Sequence, residues 1–255
     1  MRAVRPAASI FRRSPTALAV AMALAPLPTM ATTYTVTNNA DSGAGSLRDA
    51  ITQANALCGS DPAPVIQFNI PASFTIAPSS PLPIMSCGTG AYNPTIDGYS
   101  QPGSSANTSS TGFNATIPIV IDGTNVQFGC GLEFDDFGYG GNLTVKGLDV
   151  RNFTYGGFGE GLCGKVQLYG NRVSNNSYGA AVQTSSVIGS TATADRNVFG
   201  SNSVYGIDVA YGGTVDIVNN FIGTLDGSTA SPNDVGIFWP SPPDAGTIVG
   251  NTVSG

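Results

Sequence analysis

Histidine is absent from the 255 residues of this chain. That removes Ser-His-Asp and Cys-His catalysis, in which an imidazole moves the proton. Charge is scarce as well: ten Lys and Arg and sixteen Asp and Glu make up a tenth of the residues. Tryptophan occurs once. No apolar run reaches the ~20 residues that a membrane-spanning helix requires. The longest, Ala17 to Ala25, ends at Pro26 and Pro28. It follows a basic start (Arg2, Arg5, Arg12, Arg13) and precedes the small residues of Thr29-Met30-Ala31. This is the three-part layout of a secretory signal, so residues 1–31 are expected to be removed on export.

With the signal gone, six bases face sixteen acids, a net charge of −10. Such a surface repels phosphate backbones, which argues against a nucleic-acid partner. Disorder is also disfavoured, because it requires low hydrophobicity and 41% of these residues are hydrophobic. Four cysteines remain: Cys58, Cys87, Cys130 and Cys163. An even count in an oxidising compartment predicts two disulfides out of three possible connectivities. Sequence order favours Cys58–Cys87 and Cys130–Cys163. The spacings match no zinc pattern, so no metal is expected.

Internal similarity is the most informative feature. LTVKGLDVRNFTYGGFGEGL from Leu143, VQLYGNRVSNNSYGAAVQ from Val166, TADRNVFGSNSVYGIDVA from Thr193 and VDIVNNFIGTLDG from Val215 align. A further VGNTVSG starts at Val249. Equivalent positions are Leu148, Asn171, Asn197, Asn220 and Asn251, in steps of 23, 26, 23 and 31 residues. Glycines 156, 179, 206 and 236 supply a second register mark. Apolar residues two apart (Leu143/Val145, Val166/Leu168, Val215/Ile217; Leu132/Phe134, Ile207/Val209, Ile237/Trp239) mark strands with one buried face. No helical pattern of 10–15 residues separates them, so these are not βαβ units. A ~23-residue repeat of short strands and tight turns predicts an all-β, right-handed parallel β-helix of the pectate-lyase-like kind, about three strands per coil. The Asn positions read as turn residues that stack into an amide ladder.

The ends differ. Ser42 to Asn55 holds the one clear helix, with Ser46 as N-cap, Asp49 in a capping-box place, and Leu47, Ala50, Ile51 and Ala54 on one apolar face. It is expected to plug the open end of the first coil. Residues 32–115 then read as this cap and the first irregular coils, with a loop after Ser100. Residues 116–255 read as regular coils that stop inside a new one, as a truncated solenoid would.

TVTNNADSGAGSLRDAITQAN from Thr35 resembles the N-terminal motif of bacterial CSLREA-type proteins. VIQFNIP at Val65, PLPI at Pro81, TIDGYSQPG at Thr95 and NFIGTLDG at Asn220 resemble the secreted parallel β-helix repeat proteins that carry this motif. The likeness covers most of residues 33–255. It departs at Gly45, where the motif has its initial Cys, and at Asp49, where it has Glu. The resemblance implies an exported, secreted or surface-associated bacterial protein and assigns no chemistry.

Candidates for a site are few. Alternation turns Glu133 and Asp208 outward, three coils and so about 14 Å apart by strand spacing, too far for an inverting glycosidase pair. Asp135-Asp136 is the one acidic pair and reads first as a solvated turn. Lys146, Arg151, Lys165, Arg172 and Arg196 are scattered. Tyr155, Tyr178 and Tyr205 each precede a register glycine and are expected to stack as a strip, either as a self-supporting ladder or as a face for sugar rings. The expected function is an adhesin-like exported protein contacting glycans or cell surfaces. The alternatives are a polysaccharide lyase or glycoside hydrolase, with Ca²⁺ needed only for the lyase, and a structural stalk. No other cofactor is expected.

Overall fold

The computed structural model describes residues 31–157, 159–210, 213–240 and 246–254. The expected signal segment, apart from Ala31, lies outside the described residues. The chain is a parallel β-helix: among the described residues three parallel sheets wrap one core, and the coils between the two ends each contribute a strand to each sheet. The first sheet has eight strands, from Thr33–Val36 through Leu143–Lys146 and Val166–Tyr169 to Thr247–Val249. The second has seven, from Thr75–Ile76 through Asp149–Arg151 and Arg172–Ser174 to Thr252–Val253. The third has six: Met85–Ser86, Cys130–Asp135, Glu160–Gly164, Tyr178–Val182, Tyr205–Val209 and Val235–Phe238.

Inward aliphatics from all three sheets merge into one core, with Leu143, Val145, Val150, Leu162, Val166, Leu168, Ile188, Ile207 and Ile217 fully buried. Burial of each such side chain contributes about 1.5–3 kcal/mol. The helix, Leu47–Ala56, caps the first coil as expected. Ser46 Oγ accepts from Asp49 N at 3.2 Å, and Leu47, Ala50, Ile51 and Ala54 join the core. No described helix is long and apolar enough to cross a membrane.

The corners carry the polar register. Between the first and second sheets, Asn171, Asn197, Asn220 and Asn251 form the expected ladder. The Oδ1 of Asn197 accepts from both the N–H and the Nδ2 of Asn171, and the pattern repeats at Asn220 and Asn251. Leu148 donates its N–H to Asn171 Oδ1 and so starts the column. Each Nδ2 also reaches back to a carbonyl of the preceding coil: Val145, Leu168, Ile188 and Ile217. A second ladder, Asn176–Asn202–Asn233, does the same between the second and third sheets. Asn171, Asn176, Asn197, Asn202 and Asn220 are almost fully buried, so the ladders satisfy groups that would otherwise be orphaned.

The glycine register differs from the sequence alignment. The column is Gly131, Gly161, Gly179, Gly206 and Gly236, and Gly156 is not in it. A Cβ on Gly131, Gly161, Gly179 or Gly206 would lie 2.4–2.6 Å from the carbonyl oxygen of the next glycine down. Close stacking of backbone on backbone therefore requires glycine here. Gly156 sits instead in a short 3₁₀ turn, Tyr155–Gly157, with φ of 64°.

Candidate functional site

The outer face of the third sheet carries Glu133, Glu160 and Asp208, the tyrosines Tyr178 and Tyr205, and the Cys130–Cys163 bridge. Two columns of outward residues run along it. Register pairs Cys130 with Glu160, Tyr178, Tyr205 and Val235 in one column, and Glu133 with Cys163, Ala181, Asp208 and Phe238 in the other. Both columns face out because the column of glycines between them absorbs the break in alternation before Leu132, Leu162 and Ile207 turn inward.

The second and third strands of this face, Cys130–Asp135 and Glu160–Gly164, form a square with Cys and Glu at alternate corners. Cys130 and Cys163, on one diagonal, are disulfide-bonded; Cys58–Cys87 is the other bridge. Both pairings are those favoured by sequence order. Glu160 Oε2 lies 3.1 Å from Cys130 Sγ and 2.6 Å from Cys163 Sγ. Bridged sulfurs carry no proton, so the proton available at these contacts is that of the carboxyl. Burial, then the negative charges of Glu133 and Asp208, push Glu160 up to about 7, which favours its protonated form. Burial and Asp135 also raise Glu133, and burial raises Asp208. Asp208 Oδ1 is buried without a partner.

Beyond the square the face becomes aromatic. Tyr178 and Tyr205 meet edge to face, with centroids 5.2 Å apart, and Tyr205 stacks on Phe238 at 4.6 Å and 9°. Ala181 is small and leaves room between Cys163 and Asp208. The resulting cleft of about 200 Å³ is lined by Glu133, Asp135, Glu160, the disulfide, Ala181 and Gln183.

The structure thus keeps some predicted residues together and separates others. Glu133 and Asp208 point outward in one column, three strands apart, as expected. Tyr178 and Tyr205 stack, but Tyr155 is not part of the strip. It is half exposed on its 3₁₀ turn and lines a separate cleft with residues 123–127 and Thr154. The Tyr-Gly of residues 155–156 mimics Tyr178-Gly179 and Tyr205-Gly206, which draws the alignment five residues off. In true register, Glu160 precedes the column glycine, and sequence reasoning missed it for that reason.

Asp135-Asp136 is a turn. Asp135 accepts from Phe137 N, and Asp136 accepts from Gly138 N and from Lys165 Nζ at 2.9 Å. Those bonds hold the Asp136 carboxyl below the usual range.

Chemically, the face offers carboxylates that accept from hydroxyls or amines, a carboxyl that is protonated up to near neutral pH and can donate, and rings that stack on flat apolar surfaces. No family model matches the chain, and no curated protein matches it.

Proposed function

We propose that this chain is an exported, adhesin-like β-helix protein that contacts glycans through the outer face of its third sheet. The observation that carries this reading is the aromatic run Tyr178–Tyr205–Phe238 bordered by Glu160 and Asp208. Sugar rings present flat C–H faces to aromatics and hydroxyls to carboxylates, and a rigid sheet presents both without ordering a loop. Export is supported by the signal-like start, by the resemblance to CSLREA-type proteins, and by two disulfides, which persist in oxidising compartments. The acidic border and the mature charge of −10 favour neutral or amino sugars over uronates.

Glycan-array binding of the mature chain tests this. Binding to neutral or amino-sugar oligomers is expected, about fivefold weaker or more for Tyr178→Ala. Each lost aromatic contact contributes about 1 kcal/mol or more. Binding undiminished in that variant, or strongest to uronates, refutes the assignment of the face. Absence of binding to any glycan favours the stalk reading.

One observation favours a hydrolase as the second reading: a carboxyl pushed up to about 7 beside a second acidic group suits a general acid. It requires release of reducing ends that disappears with Glu160→Gln.

A further inference from the structure

We propose that Cys130, Cys163 and Glu160 bind a soft divalent cation, zinc by preference, once the Cys130–Cys163 bridge is reduced. The cysteine spacing in the sequence gives no zinc motif; the coil creates one. Cys130-Gly-Leu-Glu133 and Glu160-Gly-Leu-Cys163 lie on adjacent strands, paired Cys130 to Glu160 and Glu133 to Cys163. Two short C-x₂-E and E-x₂-C segments therefore face each other like the knuckles of a structural zinc site. Among the described residues, this is the one place where three thiol or carboxyl ligand atoms all lie within 4.8 Å of one another.

A single oxygen, Glu160 Oε2, touches both sulfurs. In the bridged form those contacts place a carboxyl oxygen against two weak acceptors that have nothing to donate. In the reduced form the same oxygen completes a three-ligand set. The Cα atoms of the two cysteines are 6.0 Å apart, which suits a bridge. Side-chain rotation alone would part the sulfurs to the roughly 3.8 Å expected when both bind one ion at ~2.3 Å. The fourth position would open on the cleft, where Glu133 and Asp135 are the further acids on the wall. Two sulfur ligands favour zinc over calcium or magnesium. The other bridge, Cys58–Cys87, has a threonine hydroxyl rather than a carboxyl against its sulfur and serves as an internal control.

The chemistry balances with a dithiol reductant. The reductant gives two electrons and two protons to the bridge and leaves as its own disulfide. The S–S bond breaks and two S–H groups form. Binding of the cation then breaks both S–H bonds, forms two metal–sulfur bonds and one metal–oxygen bond, and releases the thiol protons, with any carboxyl proton, to solvent.

The test uses the mature chain, reduced with a dithiol, freed of reductant under argon and titrated with Co²⁺ as the spectroscopic stand-in for zinc. One Co²⁺ per chain is expected, with near-ultraviolet thiolate-to-cobalt absorption and the visible bands of tetrahedral geometry. Zn²⁺ should displace it, and the oxidised chain should show none of this. Cys58→Ser/Cys87→Ser should keep the signal and Cys130→Ser should lose it. Because Cys130→Ser also removes the bridge, Glu160→Gln provides the second arm. It retains both cysteines and should bind at least tenfold more weakly. No thiolate band in the reduced chain, full affinity in Glu160→Gln, or loss of the signal with the Cys58/Cys87 variant overturns the proposal. So does loss of the β-sheet circular dichroism on reduction without recovery on adding the ion.

Discussion

Replacing Gly179 by alanine adds one methyl group at the point where two coils touch. The new Cβ would lie 2.4 Å from the carbonyl oxygen of Gly206 and 2.9 Å from Asn202 Nδ2. Ordinary contact begins near 3.4 Å, so the coils must part locally by about 1 Å. A ladder hydrogen bond of ~2.9 Å stretched by that amount is no longer one. Two or three such bonds, at about 1 kcal/mol net each, are exposed to the loss. Alanine's reduced freedom in the unfolded chain returns about 0.4–1 kcal/mol. The net is a destabilisation of about 2 kcal/mol, or roughly 4–8 °C in melting temperature for a chain of this size. Gly88→Ala is the matched comparison: its Cβ would meet nothing within 4 Å and its φ is not in the left-handed region. It should be neutral or stabilising by up to about 1 kcal/mol. Guanidinium unfolding of both variants, bridges intact, measures the difference. A Gly179→Ala protein as stable as Gly88→Ala would refute the view that backbone proximity sets this column.

Two other perturbations test the ladders and the acidic face. Asn197→Leu removes the acceptor for the N–H of Asn171, leaving that buried donor unpaired, and should cost about 3 kcal/mol; amide hydrogen exchange at Asn171 should accelerate with it. Glu160→Gln should be no more stable than wild type at pH 4 and more stable at pH 8. Because the fold raises this acid from 4.5 to about 7, the favourable protonated form is fully present below 4.5 and is lost as pH rises through 7. The full gap is worth about 3 kcal/mol; partial solvent access brings the expected advantage of the variant above pH 7 to about 1–2 kcal/mol. Equal pH profiles in urea unfolding would contradict the raised value.

The architecture was legible because a solenoid writes its repeat into the chain. Alternating pairs such as Leu143/Val145 and Val166/Leu168 and the Asn171–Asn251 column needed only counting, and the cap at Ser46 followed from local chemistry. The second ladder, Asn176–Asn202–Asn233, carries the same signal: each asparagine stands three or four residues before a column glycine. What misled was the third sheet. Gly156 imitates the register glycine by sequence, while the true column is defined by backbone contact across coils, which no single segment reveals. That displacement hid Glu160 and with it the square it forms with Cys130, Glu133 and Cys163. The site depends on which residue sits beside which across a strand step, and that register is fixed only once the coils stack.

Every rung of the asparagine ladders reaches back toward the coil before it. The solenoid is therefore not symmetrical along its axis in how it comes apart. Removing a coil from the leading end exposes side chains that lose their targets, and the helix at Leu47–Ala56 guards that end. At the trailing end, peeling away the strand at Thr252–Val253 together with Asn251 strips the N–H of Asn220 of its acceptor. The coil before it is then left with an orphaned donor. Along the ladder, each asparagine released leaves the N–H of the one before it without an acceptor, so the loss of one rung weakens the next.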